Sequence, residues 1–145
     1  MKKTVKILLL LISSSIVACS VPDEESRLRK ALDELVQAVE ERSVRQVQKF
    51  LADDFRTARH SNSQQLRSFM LLHFRQNKVI KVFTSNIQIV LQKEKADMVF
   101  NVLVTGSSNW LPERGRRFEV KSRWIKQDGD WKISRVNWQE LTDFH

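Results

Sequence analysis

The chain has 145 residues, 25 basic against 17 acidic, a formal net charge of +8, one cysteine and no tyrosine. A lone Cys cannot close an internal disulfide or build a thiolate metal cluster. The 41% hydrophobic content is too high for a disordered chain and too low for a protein of several membrane spans, which leaves one modest domain.

Lys2, Lys3 and Lys6 form a basic head, and Ile7 to Ala18 follow without a charge, opening with Ile7-Leu8-Leu9-Leu10-Leu11-Ile12. Crossing a bilayer core takes about 20 apolar residues, so this shorter stretch has the order and length of a secretory signal. Its end, Ile16-Val17-Ala18-Cys19, resembles the bacterial lipobox, in which a branched apolar residue and two small or apolar residues precede a Cys; position 16 is Ile where that family most often has Leu. The resemblance implies a diacylglyceryl group on the sulfur of Cys19, cleavage between Ala18 and Cys19, and frequent acylation of the freed amine with a palmitate-type chain. Sulfur is the nucleophile that takes the lipid, and two or three chains anchor durably where one is marginal. The alternative is a buried core Cys behind an uncleaved N-terminal anchor; the position of the only Cys favours lipidation. Ser20 rather than Asp after the Cys implies the outer membrane of the cell envelope, facing the periplasm.

Without residues 1–18 the chain has 127 residues, 22 basic and 17 acidic, a net charge of +5. Residues 19–27 read as the lipidated Cys and a short tether, whose seven residues from Ser20 to Ser26 reach at most about 25 Å when extended. Residues 28–145 read as one domain.

Leu28, Leu32, Leu35, Val36 and Val39 recur at helical spacing with charged residues between them, predicting an amphipathic helix. Ser43 with Gln46 three residues on is a capping box that starts a second helix through Val47, Phe50 and Leu51. Ser61-Asn62-Ser63-Gln64 repeats the signal before Leu66, Phe69, Met70 and Phe74, a third helix. Four β-rich segments follow: Val79 to Leu91, Met98 to Thr105, Phe118 to Ile125 and Trp131 to Trp138. Asp128-Gly129 is a strong hairpin signal, so the strands are expected to pair antiparallel in sequence. Helices before an antiparallel sheet define an α+β domain with the helices on one face.

The order of a long helix, a short helix ending in Phe50-Leu51-Ala52-Asp53-Asp54-Phe55, a third helix, and strands ending in Trp124-Ile125-Lys126-Gln127-Asp128-Gly129-Asp130-Trp131-Lys132-Ile133 and Trp138 is similar to the nuclear transport factor 2-like superfamily, with its SnoaL-like and ketosteroid-isomerase-like members. The resemblance covers roughly residues 28 to 140. It implies a curved sheet wrapping the helices into a cone, a cystatin-like roll whose open end can hold a ligand, and dimerisation through the sheet in many members. Enzymes and non-enzymes share this fold, so it implies a cavity more than a reaction.

A ketosteroid-isomerase-like site needs a carboxylate base in an apolar pocket and a proton donor at the oxyanion, commonly Tyr. Tyr is absent, and no acidic residue of the sheet half falls on an apolar strand phase. Asp53 and Asp54 either face the cone or serve a turn. His73 continues the stripe of Leu66, Phe69 and Met70, which places its imidazole on the buried face of the third helix as a base, a ligand donor or a core-edge residue. His60 and His145 show no metal-ligand spacing, and no cofactor is expected. The candidate pocket residues are therefore His73, Trp124 and Asp54, with the four tryptophans divided between core and pocket lining.

Phe118, Val120 and Trp124 share one strand phase, with Glu119, Lys121 and Arg123 on the other, so one sheet face is wet. Residues 114–135 hold eight basic and three acidic side chains, and the rest of the mature chain is balanced. Arg114, Arg116, Arg117, Lys121 and Arg123 form a candidate contact surface for an anionic envelope component or an envelope protein; the bland alternative is a solvated face. Nucleic acid does not suit an exported domain. The sequence thus favours a lipid-anchored, non-catalytic binding or interaction module, with a carrier or SnoaL-like enzyme as the alternative.

Overall fold

A computed structural model describes residues 23–58, 62–107 and 114–142, with the side chain of Arg114 left out. Asp23 caps the first helix by accepting from the Ser26 N–H at 2.6 Å, and α1 runs over Glu24–Glu40. The last residues of the expected tether, Glu24 to Arg27, are thus its opening turn. Leu28 and Leu32 face inward with no more than 2% exposure.

Arg42 ends this helical segment in the left-handed region, at φ 56°. Its N–H reaches the Val39 carbonyl and that of Ser43 reaches Ala38. Ser43 then caps α2 (Val44–Gln48) at the Gln46 N–H.

The segment expected to extend this helix is instead strand β1, Leu51–Thr57. Ala52 and Phe55 are buried there, and the strand pairs parallel with the last strand. Asn62 caps α3 (Ser63–Gln76) by accepting from Gln65 N–H at 3.0 Å.

Four long strands complete the domain: β2 (Val79–Leu91), β3 (Lys95–Ser107), β4 (Arg114–Gln127) and β5 (Asp130–Glu140). Their order in the sheet is β1-β5-β4-β3-β2, antiparallel except for β1. The Asp128-Gly129 turn joins β4 to β5 with both residues at positive φ, 54° and 82°, as a type I′ hairpin requires. Register shifts between Ser85 and Gln88 on β2, where Asn86 has φ 52°, and between Arg123 and Trp124 on β4 bend the sheet. The result is the expected α+β architecture, N-terminal helices against a curved, mostly antiparallel sheet.

The main core gathers Leu28 and Leu32 of α1, Phe55 of β1 and the inner-face residues Met98, Trp124, Trp131 and Ile133. A smaller cluster of Ala38, Val44, Val47 and Met70 joins the three helices. The start of α1 is fixed at the β4–β5 turn: Glu24 accepts from Trp131 Nε1 at 3.0 Å, and Arg27 donates to the Gly129 carbonyl at 3.2 Å. Among the described residues no helix is long and apolar enough to cross a membrane.

Candidate functional site

The inner face of the sheet is closed by core side chains near the β4–β5 turn and open at the other end. There the end of α1, the C-terminal half of α3 and strands β2 to β5 border an open cavity of about 620 Å³. Val39 marks its α1 side, fifteen residues along the helix from Glu24. Ile80, Val102, Phe118, Val120, Val136 and Trp138 give it an apolar body. A second depression, at the α1 start, is lined largely by charged groups including Lys30, Lys49 and Lys132.

The polar lining comes from two places. His73, Gln76 and Asn77 end α3, with Ser107 at the end of β3 and Arg116 near the start of β4. Asn77 holds the helix end, its backbone N–H and Nδ2 both donating to the His73 carbonyl, at 3.1 and 2.9 Å. Gly106 leaves room beside it: a Cβ there would sit 2.5 Å from Asn77 Oδ1 and force the Asn77 side chain to shift. The His73 ring packs on Phe69 with centroids 4.3 Å apart, tilted by 51°.

Arg116 lies over the Phe118 ring at 5.2 Å and makes a two-pronged ion pair with Glu140, Nε to Oε1 at 2.8 Å and Nη2 to Oε2 at 2.6 Å. This hydrogen bonding, reinforced by the carboxylate charge, raises the guanidinium above its ordinary value, so it is a fixed cation. Its side chain remains 62% exposed. No Asp or Glu stands among the described residues lining the cavity, and no cluster of metal-ligating side chains occurs among the described residues. Chemically, the arrangement can shelter an apolar body and offer it a cation at the rim.

The pocket residues expected from sequence separate. His73 lines the cavity, but as an exposed residue at its edge rather than on a buried helix face. Trp124 does not line it: the residue is wholly buried in the closed part of the inner face, donating to Ser122 Oγ. Asp54 is exposed on β1 and outside the lining, as is Asp53, whose N–H donates to Gln127 Oε1. Trp138 supplies the indole that Trp124 was expected to bring.

The basic segment is split by the strand's alternation. Arg116 points with Phe118 and Val120 toward the cavity, while Arg117, Glu119, Lys121 and Arg123 occupy the alternate, outer phase. There Lys121 pairs with Glu119 at 3.3 Å and Arg123 with Asp97 at 2.8 Å. Arg116 thus turns away from the candidate contact surface, while Arg117, Lys121 and Arg123 share the outer face. Cys19 lies outside the described residues, as do Trp110, His60 and His145. Arg116 belonged to the candidate surface but was not read as a cavity residue; its even position, in phase with Phe118 and Val120, was the available signal.

No family model matches the chain, and no curated protein matches it in sequence. Solved structures do match in shape. A scytalone dehydratase candidate from Novosphingobium aromaticivorans superposes with a TM-score of 0.75 at 14% identity, over 84% of this chain and 88% of that one. Bd1075 of Bdellovibrio bacteriovorus gives 0.72 at 16% identity over 81% of this chain, which spans only 40% of that protein. A nuclear transport factor 2-like protein from Cytophaga hutchinsonii gives 0.70 at 14% identity, over 83% of this chain and all of that one. At such identities the likeness shows the fold: a cystatin-like, nuclear transport factor 2-like α+β cone.

Proposed function

We propose that this chain is a lipid-anchored protein of the bacterial cell envelope whose cone is a non-catalytic binding module for a small, largely apolar molecule. The observation that carries the binding reading is the cavity itself, apolar in its body and with His73 lacking a carboxylate among the described lining residues. Acid–base turnover calls for positioned proton-transfer groups, whereas binding needs only shape, apolar area and a few polar contacts. The anchor rests on Ile16-Val17-Ala18-Cys19 following the basic and apolar signal. The outer membrane as its seat rests on Ser20. Partners beyond the membrane are an anionic envelope component or an envelope protein, with a second copy of the chain against the sheet as a further association.

One observation favours turnover instead: His73 lines the same cavity, and two structural neighbours are described as dehydratase candidates. In that reading His73 is the base and the substrate an apolar small molecule.

Two measurements test the proposal. Mass spectrometry of the mature chain should find a diacylglyceryl group on Cys19; an unmodified Cys19, or a chain still starting at Met1, overturns the anchor. Organic extracts of the purified protein should contain an apolar molecule that is missing from a folded Val104→Trp variant, whose indole occupies the cavity. Identical extracts from the two proteins overturn the binding reading.

A further inference from the structure

The cavity is chemically lopsided. Ile80, Val102, Val120 and Val136 offer a ligand no side-chain hydrogen bond, so a wholly polar molecule would lose its water there without compensation. At the rim the situation reverses. A wholly apolar molecule reaching Arg116 would cover a guanidinium without satisfying it.

Arg116 is equipped to receive more than it now holds. A guanidinium has five N–H donors, and the pair with Glu140 engages one on Nε and one on Nη2. The Phe118 ring beneath it makes a cation–π contact with the guanidinium, 5.2 Å from its centroid. The Glu140 pair is exposed, with side chains 62% and 42% accessible, and exposed ion pairs contribute little. An incoming anionic oxygen group, drier than Glu140 because its apolar body shields one side, can add to that pair or exchange with it.

Building on the binding reading above, we propose that the cavity takes an amphipathic molecule, an apolar chain or ring body ending in an anionic carboxylate or phosphate, with Arg116 as the head-group residue and Glu140 as its resident competitor. The cavity volume of about 620 Å³ lies inside the roughly 300–1,000 Å³ range of small-molecule sites.

The test compares three probes of one chain length on the mature polypeptide from Ser20 onward, below their micellar concentrations: dodecanoate, dodecanol and dodecyl phosphate. Residues 20–145 retain all the described elements and both core clusters, and a cooperative thermal transition checks that they fold. Calorimetry should show dodecanoate binding about tenfold or more tighter than dodecanol. Arg116→Gln should bring the two affinities together. Glu140→Gln, which frees the guanidinium, should tighten dodecanoate severalfold, an effect that loss of a merely structural ion pair would not produce. Preference for dodecyl phosphate over dodecanoate, lost with Arg116, assigns the head to phosphate, and the opposite order assigns it to carboxylate; both support the proposal. Equal affinity for acid and alcohol, or an Arg116→Gln protein that keeps the preference, overturns the head-group assignment while leaving the binding cavity standing. A folded chain that binds none of the three overturns both.

Discussion

Trp124 and Ser122 share a buried hydrogen bond on the inner face of β4. The indole Nε1 donates to the Ser122 hydroxyl at 2.9 Å, and that hydroxyl donates onward to the Met98 carbonyl at 3.2 Å. Ser122→Ala leaves a fully buried N–H without this acceptor, at a cost of about 1–3 kcal/mol. Urea unfolding should show a lower midpoint with the slope unchanged. An unchanged midpoint would refute this role for the hydroxyl.

The carboxylates of Glu24 and Glu40 set an acid limit on stability. Hydrogen bonding from Lys126 leads the effects that hold Glu24 below the ordinary 4.5, against an opposing push from burial. The Val82 N–H does the same for Glu40, again against burial. A carboxyl that titrates lower in the folded state releases its proton more readily there, so the unfolded chain binds protons first as pH falls. The contribution is complete above about 4.5 and is lost as pH drops through the folded values. Unfolding free energies from pH 7 to 3 should fall less steeply in that window for Glu24→Gln plus Glu40→Gln than for the parent chain.

Arg42 occupies a helix-terminating position that glycine usually fills, at φ 56°. Its side chain donates to the Asn77 carbonyl at 3.4 Å, an exposed and long bond. Arg42→Gly removes the left-handed strain on a Cβ and should stabilise the domain by roughly 0.5–1 kcal/mol. A thermal midpoint at or below that of the parent would contradict the expectation.

Gly129 tests the opposite substitution. A Cβ there would meet nothing within 4 Å, so only the φ of 82° opposes one. Gly129→Ala should cost about 1–2 kcal/mol without altering the cavity. Equal loss of stability and of ligand affinity would show that the turn and the cavity are coupled.

The long strands were legible because alternation and the Asp-Gly turn are local signals, and the capping signals at Ser43 and in Ser61-Asn62-Ser63-Gln64 lie next to the helices they start, with Asn62 serving as the cap of α3. β1 was not. Val47, Phe50 and Leu51 continue a helical spacing, and Asp53 and Asp54 are poor strand formers, so Leu51–Thr57 becomes a strand through non-local effects: pairing with β5, some eighty residues away, and burial of Ala52 and Phe55 in the core. The opening turn of α1 was hidden for a simpler reason: Glu24 to Arg27 carry no apolar residue, and the turn is marked by the Asp23 cap and the acidic pair Glu24 and Glu25 instead of by hydrophobic spacing. The phase of β4 was read correctly from Phe118, Val120 and Trp124. Alternation says which face a side chain takes, however, and not how far along that face the core closes. That depth separates wholly buried Trp124 from cavity-lining Phe118.

The attachment of α1 has a consequence for traffic. Its first turn is pinned at the β4–β5 turn, and Val39, at the cavity, lies roughly 22 Å further along the helix axis. Only four residues separate Cys19 from Glu24, enough to span at most about 18 Å. A lipid on Cys19 would therefore seat the closed base of the cone against the bilayer and hold its loading port out in the aqueous compartment. On that proposal, cargo would arrive and leave by diffusion through water, or by hand-over from a facing protein, instead of sliding in from the leaflet that holds the lipid.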